Sequence, residues 1–130
     1  MLQTYHHLAT LIDLPTETTR AALPTLMDDV VGEGLLSDES LETLNEFVEY
    51  AASFATLDEW TADYLQCFDH TAIGSAHSLA LHLDYVAQAA DIETAHQRLT
   101  LGYETAQRLR DHCATAECPY APLLDLVLHA

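Results

Sequence analysis

The stretch Thr56–Ala90, TLDEWTADYLQCFDHTAIGSAHSLALHLDYVAQAA, carries the clearest local punctuation in the chain. Thr56 followed by Glu59 has the pattern of a capping box, in which a hydroxyl and a carboxylate each satisfy a free backbone N–H at a helix start. Leu57, Trp60, Tyr64 and Phe68 then recur three and four positions apart, which sets them on one face of that helix. Gly74 suits the left-handed conformation that ends a helix, and Ser75 directly after it can cap the next. That second helix is expected to bury Leu79, Leu83, Val86 and Ala90. Two helices joined so tightly are expected to fold back on each other, and the groove between them is the first place to seek a site.

Working outward, helical spacing continues. Residues 2–12 place Leu2, Tyr5, Leu8 and Ile12 on one face, and the helix stops before Asp13-Leu14-Pro15. Thr16 can cap a second helical piece, and Pro24 is expected to interrupt it and start a further piece running to Val31. Gly32-Glu33-Gly34 breaks the chain, and Ser37 and Asp38 open a helix with Leu41, Leu44, Val48, Ala51 and Ala55 in one stripe. After Ala90, Asp91 caps a long helix burying Ile92, Ala95, Leu99, Tyr103, Ala106 and Leu109. The terminal YAPLLDLVLHA (120–130) is apolar on nearly all sides and needs cover. No period-two alternation of β-branched residues appears, so the fold class expected is all-α, a single-domain bundle (1–130) of about six or seven helices.

Composition narrows the partners. A chain of 130 residues can bury roughly two thirds of its unfolded surface, enough for a core without disulfides. It holds 21 acidic residues against four arginines and no lysine, a net charge of −17. That charge repels nucleic acid and anionic membranes and favours neutral, cationic or metallic partners. Solubility, adaptation to high salt and client binding all account for such acidity. Three cysteines make an odd count in a chain that needs no cross-links, which suits a reducing, cytoplasmic setting. The N-terminus MLQTYHH has no basic, apolar signal pattern, and no stretch reaches the ~20 apolar residues of a membrane span.

Motifs for catalysis are missing: there is no G-x-S-x-G, no phosphate-cradling glycine loop, no H-E-x-x-H and no dinucleotide fingerprint. The chain reads as a non-enzyme with no cofactor. Of its eight histidines, His77 and His82 are five apart, about 140° around a helix rather than on one face. Cys113 and Cys118, with His112 alongside, form a single C-x4-C pair. A small helical His/Cys metal- or cofactor-binding protein is therefore the alternative reading, and a structural or regulatory adaptor is a third. Tyr64 and Phe68 most simply pack in a core. In the sharper reading they join Trp60 as apolar anchors for a partner peptide, with Asp63, Asp69 and Asp84 as partners for its arginines.

The order of these features resembles the TorD/DmsD/NarJ family of cytoplasmic chaperones that mature molybdenum-containing oxidoreductases. HLATLIDLPTETTRAALP is similar to that family's first helix with its Leu-Pro turn, and ADYLQCFDHTAIGSAHSLALHLDYV to its Y-x-x-x-F segment and Ser-Leu helix. PYAPLLDLVLHA resembles its later proline-led helix, with Pro122 and Asp125 in place. The family's Gly-Asp loop with its arginine has no counterpart in residues 85–94. The resemblance implies an all-helical chaperone that binds the apo catalytic subunit of a molybdoenzyme, or its twin-arginine-type leader peptide, until the cofactor is inserted. It also implies a chain cut short at the C-terminus relative to the family, so that the apolar tail takes cover from a second chain, by homodimer or domain swap.

Overall fold

Helix α1 (Gln3–Ile12) has no capping side chain of its own at Leu2. The cap comes from thirty residues away: Glu33 accepts from the Gln3 N–H at 2.6 Å and the Thr4 N–H at 2.7 Å. A carboxylate there satisfies two of the orphan donors and sits favourably at the positive end of the helix dipole. The computed structural model describes residues 1–116 and 118–129, with side chains given except at 114–116. Among them, α1 is followed by α2 (Glu17–Glu33), α3 (Asp38–Ala52), α4 (Leu57–Cys67), α5 (Ile73–Ala87), α6 (Ile92–Thr100), α7 (Tyr103–Ala116) and α8 (Ala121–Leu128). The described residues form no strand, and the all-α expectation holds with eight helices.

Several boundaries differ from those read in the sequence. Thr16 caps α2 as expected, with its Oγ1 accepting from the Thr19 N–H, but Pro24 lies inside a continuous helix. Proline gives the Arg20 carbonyl no donor and costs about 3 kcal/mol in a helix interior. Burial of Leu23, Leu26 and Val30 along the same helix, each worth roughly 1.5–3 kcal/mol, offsets that loss. Gly34 ends α2 with φ of 72°, the left-handed position that a glycine takes without strain. In the central stretch, α4 ends at Phe68 rather than at Gly74, and Gly74 falls in the first turn of α5. The turn between them is made by Asp69, which accepts from the Thr71 N–H at 2.9 Å and its hydroxyl at 2.5 Å. Ala90 is exposed beyond the end of α5, whereas Leu79, Leu83 and Val86 are buried.

The long helix expected after Asp91 is two helices, broken at Leu101-Gly102. A histidine from α5 explains the break. His82 Nε2 donates to the Arg98 carbonyl at 2.6 Å, satisfying one of the last carbonyls of α6. Its ring lies so close to Gly102 that a Cβ there would be 2.5 Å from His82 Cδ2. A side chain at 102 therefore requires that ring to shift from its place against the Arg98 carbonyl.

Helix α5 packs chiefly against α1, its partner across the centre, and also meets α6 and α7. α1 meets α2, α2 meets α3, and α8 closes the circuit by packing on both α7 and α3. One cluster of buried residues draws on all eight helices. The apolar tail is covered within this circuit: Leu123, Leu124 and Val127 are at most 1% exposed. The burial that suggested a second chain is therefore met by α3 and α7 of the same chain.

Gly102→Ala is expected to lower stability by about 1–3 kcal/mol, as an added methyl in a filled site does. Denaturant unfolding of Gly102→Ala, His82→Ala and the double variant measures it. Coupling is the expected result: the alanine at 102 should cost less when the imidazole is already gone.

Candidate functional site

The six residues expected to form a peptide site separate into two groups. Trp60, Tyr64 and Phe68 are wholly buried, with no exposed surface, so they line no open groove. Their polar atoms are spent inside the protein. Trp60 Nε1 donates to Tyr120 Oη at 2.9 Å, and Tyr64 Oη donates to the Ile12 carbonyl at 2.8 Å, the end of α1. Phe68 stacks edge-on to Tyr64, ring centroids 5.0 Å apart, and lies 5.1 Å from Tyr120. The physical reason is simple: α4 has no helix packed closely along its backbone among the described residues, so long aromatic side chains must bridge to α1 and α8. Burial raises the Tyr64 and Tyr120 phenols well above their ordinary value and keeps both neutral.

Asp63, Asp69 and Asp84 are at the surface, each tied to a different neighbour. Asp63 accepts from the Tyr50 hydroxyl. Burial first, and that hydrogen bond second, push the Tyr50 phenol upward. Asp69 is held in the α4–α5 turn, and the hydrogen bonds from Thr71 keep its carboxyl below the usual range. Asp84 meets His6 across the α1–α5 seam at 3.1 Å. The structure thus does not gather the three into one acidic patch.

One of them does border a groove. Where α1 and α5 meet the start of α2, a cleft of about 190 Å³ is lined by Ala9, Ala80, Leu14 and Leu81, by four threonines of α1 and the start of α2, and by Asp13 and Asp84. Leu14 is 38% and Leu81 58% exposed. Asp13 pairs with His77 at 3.1 Å, as Asp84 does with His6. The sequence reading found Asp84 but missed Asp13 and Leu81, because the cleft joins residues some seventy positions apart. A larger groove of about 480 Å³ between α2 and α3 has an apolar wall of Leu23, Pro24, Met27 and Val48. Its rim holds Arg20, and its one carboxylate, Glu49, accepts from Asn45 at 3.2 Å. It is less suited to a cation.

The arginines neutralise little of this surface. Arg20 donates to the Ala55 carbonyl at 2.8 Å, tying α2 to the turn between α3 and α4. Arg98 donates to the Tyr85 carbonyl at 3.0 Å and stands 4.1 Å over the Tyr85 ring. Arg110 to Asp125, at 2.8 Å, is the one arginine–carboxylate pair among the described residues. No group of three or more His, Cys, Asp or Glu side chains among those residues is arranged to hold a metal ion, and none of their helices is long and apolar enough to cross a membrane.

Tyr120→Phe leaves the Trp60 N–H without an acceptor in the core, and should cost about 1–3 kcal/mol. Trp60 is the only tryptophan, so its fluorescence follows the unfolding directly. A second expectation concerns acid. The Asp91 carboxyl is held down by the Thr94 N–H, as Asp69 is by Thr71. Their folded values lie below their unfolded ones, so the stability they add is complete above the unfolded carboxylate value and is lost as pH falls through the folded one. Thermal midpoints should therefore fall on the acid side of about pH 4, and Asp69→Asn with Asp91→Asn should flatten that fall.

Comparison with protein-family models, curated proteins and solved structures finds no match to this chain. The functional reading accordingly rests on the chain's own surface.

Proposed function

We propose that this chain is a non-catalytic, peptide-binding chaperone of the TorD/DmsD/NarJ type. Its client is the apo catalytic subunit of a molybdoenzyme, held by an arginine-bearing, apolar leader segment. The observation that carries the reading is the α1–α5 cleft, which exposed Leu14 and Leu81 line together with Asp13 and Asp84. Apolar contact there supplies affinity, and the flanking carboxylates accept guanidinium hydrogen bonds that fix orientation. The net charge of −17 draws a cationic segment toward the surface before contact. The contact residues thereby shift from the buried aromatic face to α1 and α5. Tyr64 serves the site by bonding the end of α1, and Trp60 and Phe68 belong to the aromatic cluster behind it.

Calorimetric titration with twin-arginine leader peptides of molybdoenzyme catalytic subunits tests this. Binding should be measurable at low salt and weaken as salt screens the carboxylates. Asp84→Ala and Leu81→Ala should each weaken it about tenfold, ~1.4 kcal/mol, with the fold intact by circular dichroism. Absence of binding by every leader at low salt, or full affinity in both variants, overturns the proposal.

A further inference from the structure

Three thiols from distant parts of the chain meet beneath the start of α8. Cys67 ends α4, Cys113 lies in α7, and Cys118 stands just before α8. All three are free and no more than 6% exposed. Cys113 Sγ and Cys118 Sγ lie 3.1 Å apart, about 1 Å beyond a disulfide bond length. Cys118 also stands near enough to Cys67 to push that thiol upward, after burial. Peptide binding at the α1–α5 cleft makes no use of these groups.

We propose that Cys113 and Cys118 are a modification site that forms a reversible intramolecular disulfide and pins the start of α8 to α7. The two are five positions apart, so the chain itself holds one sulfur at high effective concentration near the other. The oxidant is a small disulfide such as oxidised glutathione. One protein thiol loses its proton and attacks that disulfide, expelling one small thiolate and leaving a mixed disulfide. The second protein thiol then loses its proton and displaces the other small thiolate, which closes the protein S–S bond. The two protons end on the two small thiols, so two protein thiols and one small disulfide become one protein disulfide and two small thiols. Hydrogen bonding to Cys113 and burial hold the Cys118 thiol in its protonated form, and burial does the same for Cys67. Reaction therefore runs through opening of the α7–α8 corner, which makes it slow in the closed protein and selective for the pair that reopens together. Tyr120 is two residues beyond Cys118, so the bond fixes the same corner that the aromatic core holds.

The sequence makes the test direct. With no lysine, the last tryptic site is Arg110, so Cys113 and Cys118 share the peptide 111–130 while Cys67 falls in 21–98. The full-length native chain is incubated with oxidised glutathione, quenched in acid, unfolded in an alkylating reagent, digested and weighed. The expected product is peptide 111–130 unalkylated and lighter by two hydrogens, converted to two alkylatable thiols by reductant. The Cys67→Ala variant should give the same product, and the oxidised protein should unfold at a higher temperature than the reduced one. Full alkylation of 111–130, a lasting glutathione adduct, a cross-link between 21–98 and 111–130 as main product, loss of the bond in Cys67→Ala, or an unfolding temperature not raised by oxidation would each overturn it.

Discussion

The hydrogen bond from Trp60 to Tyr120 is the constraint on which the rest of the packing depends. An indole N–H and a phenol, both wholly buried, satisfy each other where no water reaches, and an unmet partner at that depth is costly. Tyr120 stands at the start of α8 with Phe47, Tyr50, Tyr64 and Phe68 around its ring. Through those contacts it registers α8 against α3 and α4 at once. Tyr64 extends the same logic to α1 by meeting its last carbonyl. Helix α4, loosely packed along its backbone, is thus located by two directional bonds rather than by a ridge of apolar side chains.

What could be read from the sequence, and what could not, follows from range. Helix starts marked by Thr16, Ser37, Thr56 and Asp91 were legible because a capping side chain and its N–H lie three residues apart. Even there one detail moved: Glu59 reaches back to the Ala55 N–H rather than to Thr56. The cap on α1 was not legible, because Glu33 is remote in sequence. Nor was the break at Gly102, since the ring packed against that glycine belongs to His82 on another helix. The aromatic stripe at 60, 64 and 68 was correctly placed on one face of α4, but a stripe alone does not say whether the face meets a partner or the chain's own core. The site suffered most, as Asp13 and Leu81 become neighbours only when α1 and α5 pack together.

Charge is divided by role. Three of the four arginines bind between elements, and Arg98 does so at the Tyr85 carbonyl in the last turn of α5, where a cation also meets the negative end of a helix dipole. Spent in this way, they stitch helices together and leave the carboxylates outside to dominate the field. An acidic surface over an arginine-fastened interior favours cationic partners, the premise of the proposed leader binding.

The pairing of α1 with α5 carries a consequence for synthesis. Helix α1 leaves the ribosome before α5, and the helix that covers most of it begins only at Ile73. At roughly 5–20 residues per second, translation keeps Tyr5, Leu8 and Ile12 waiting for several seconds without that cover. Glu33 arrives sooner, so the carboxylate that caps α1 is at hand before the helix that covers it.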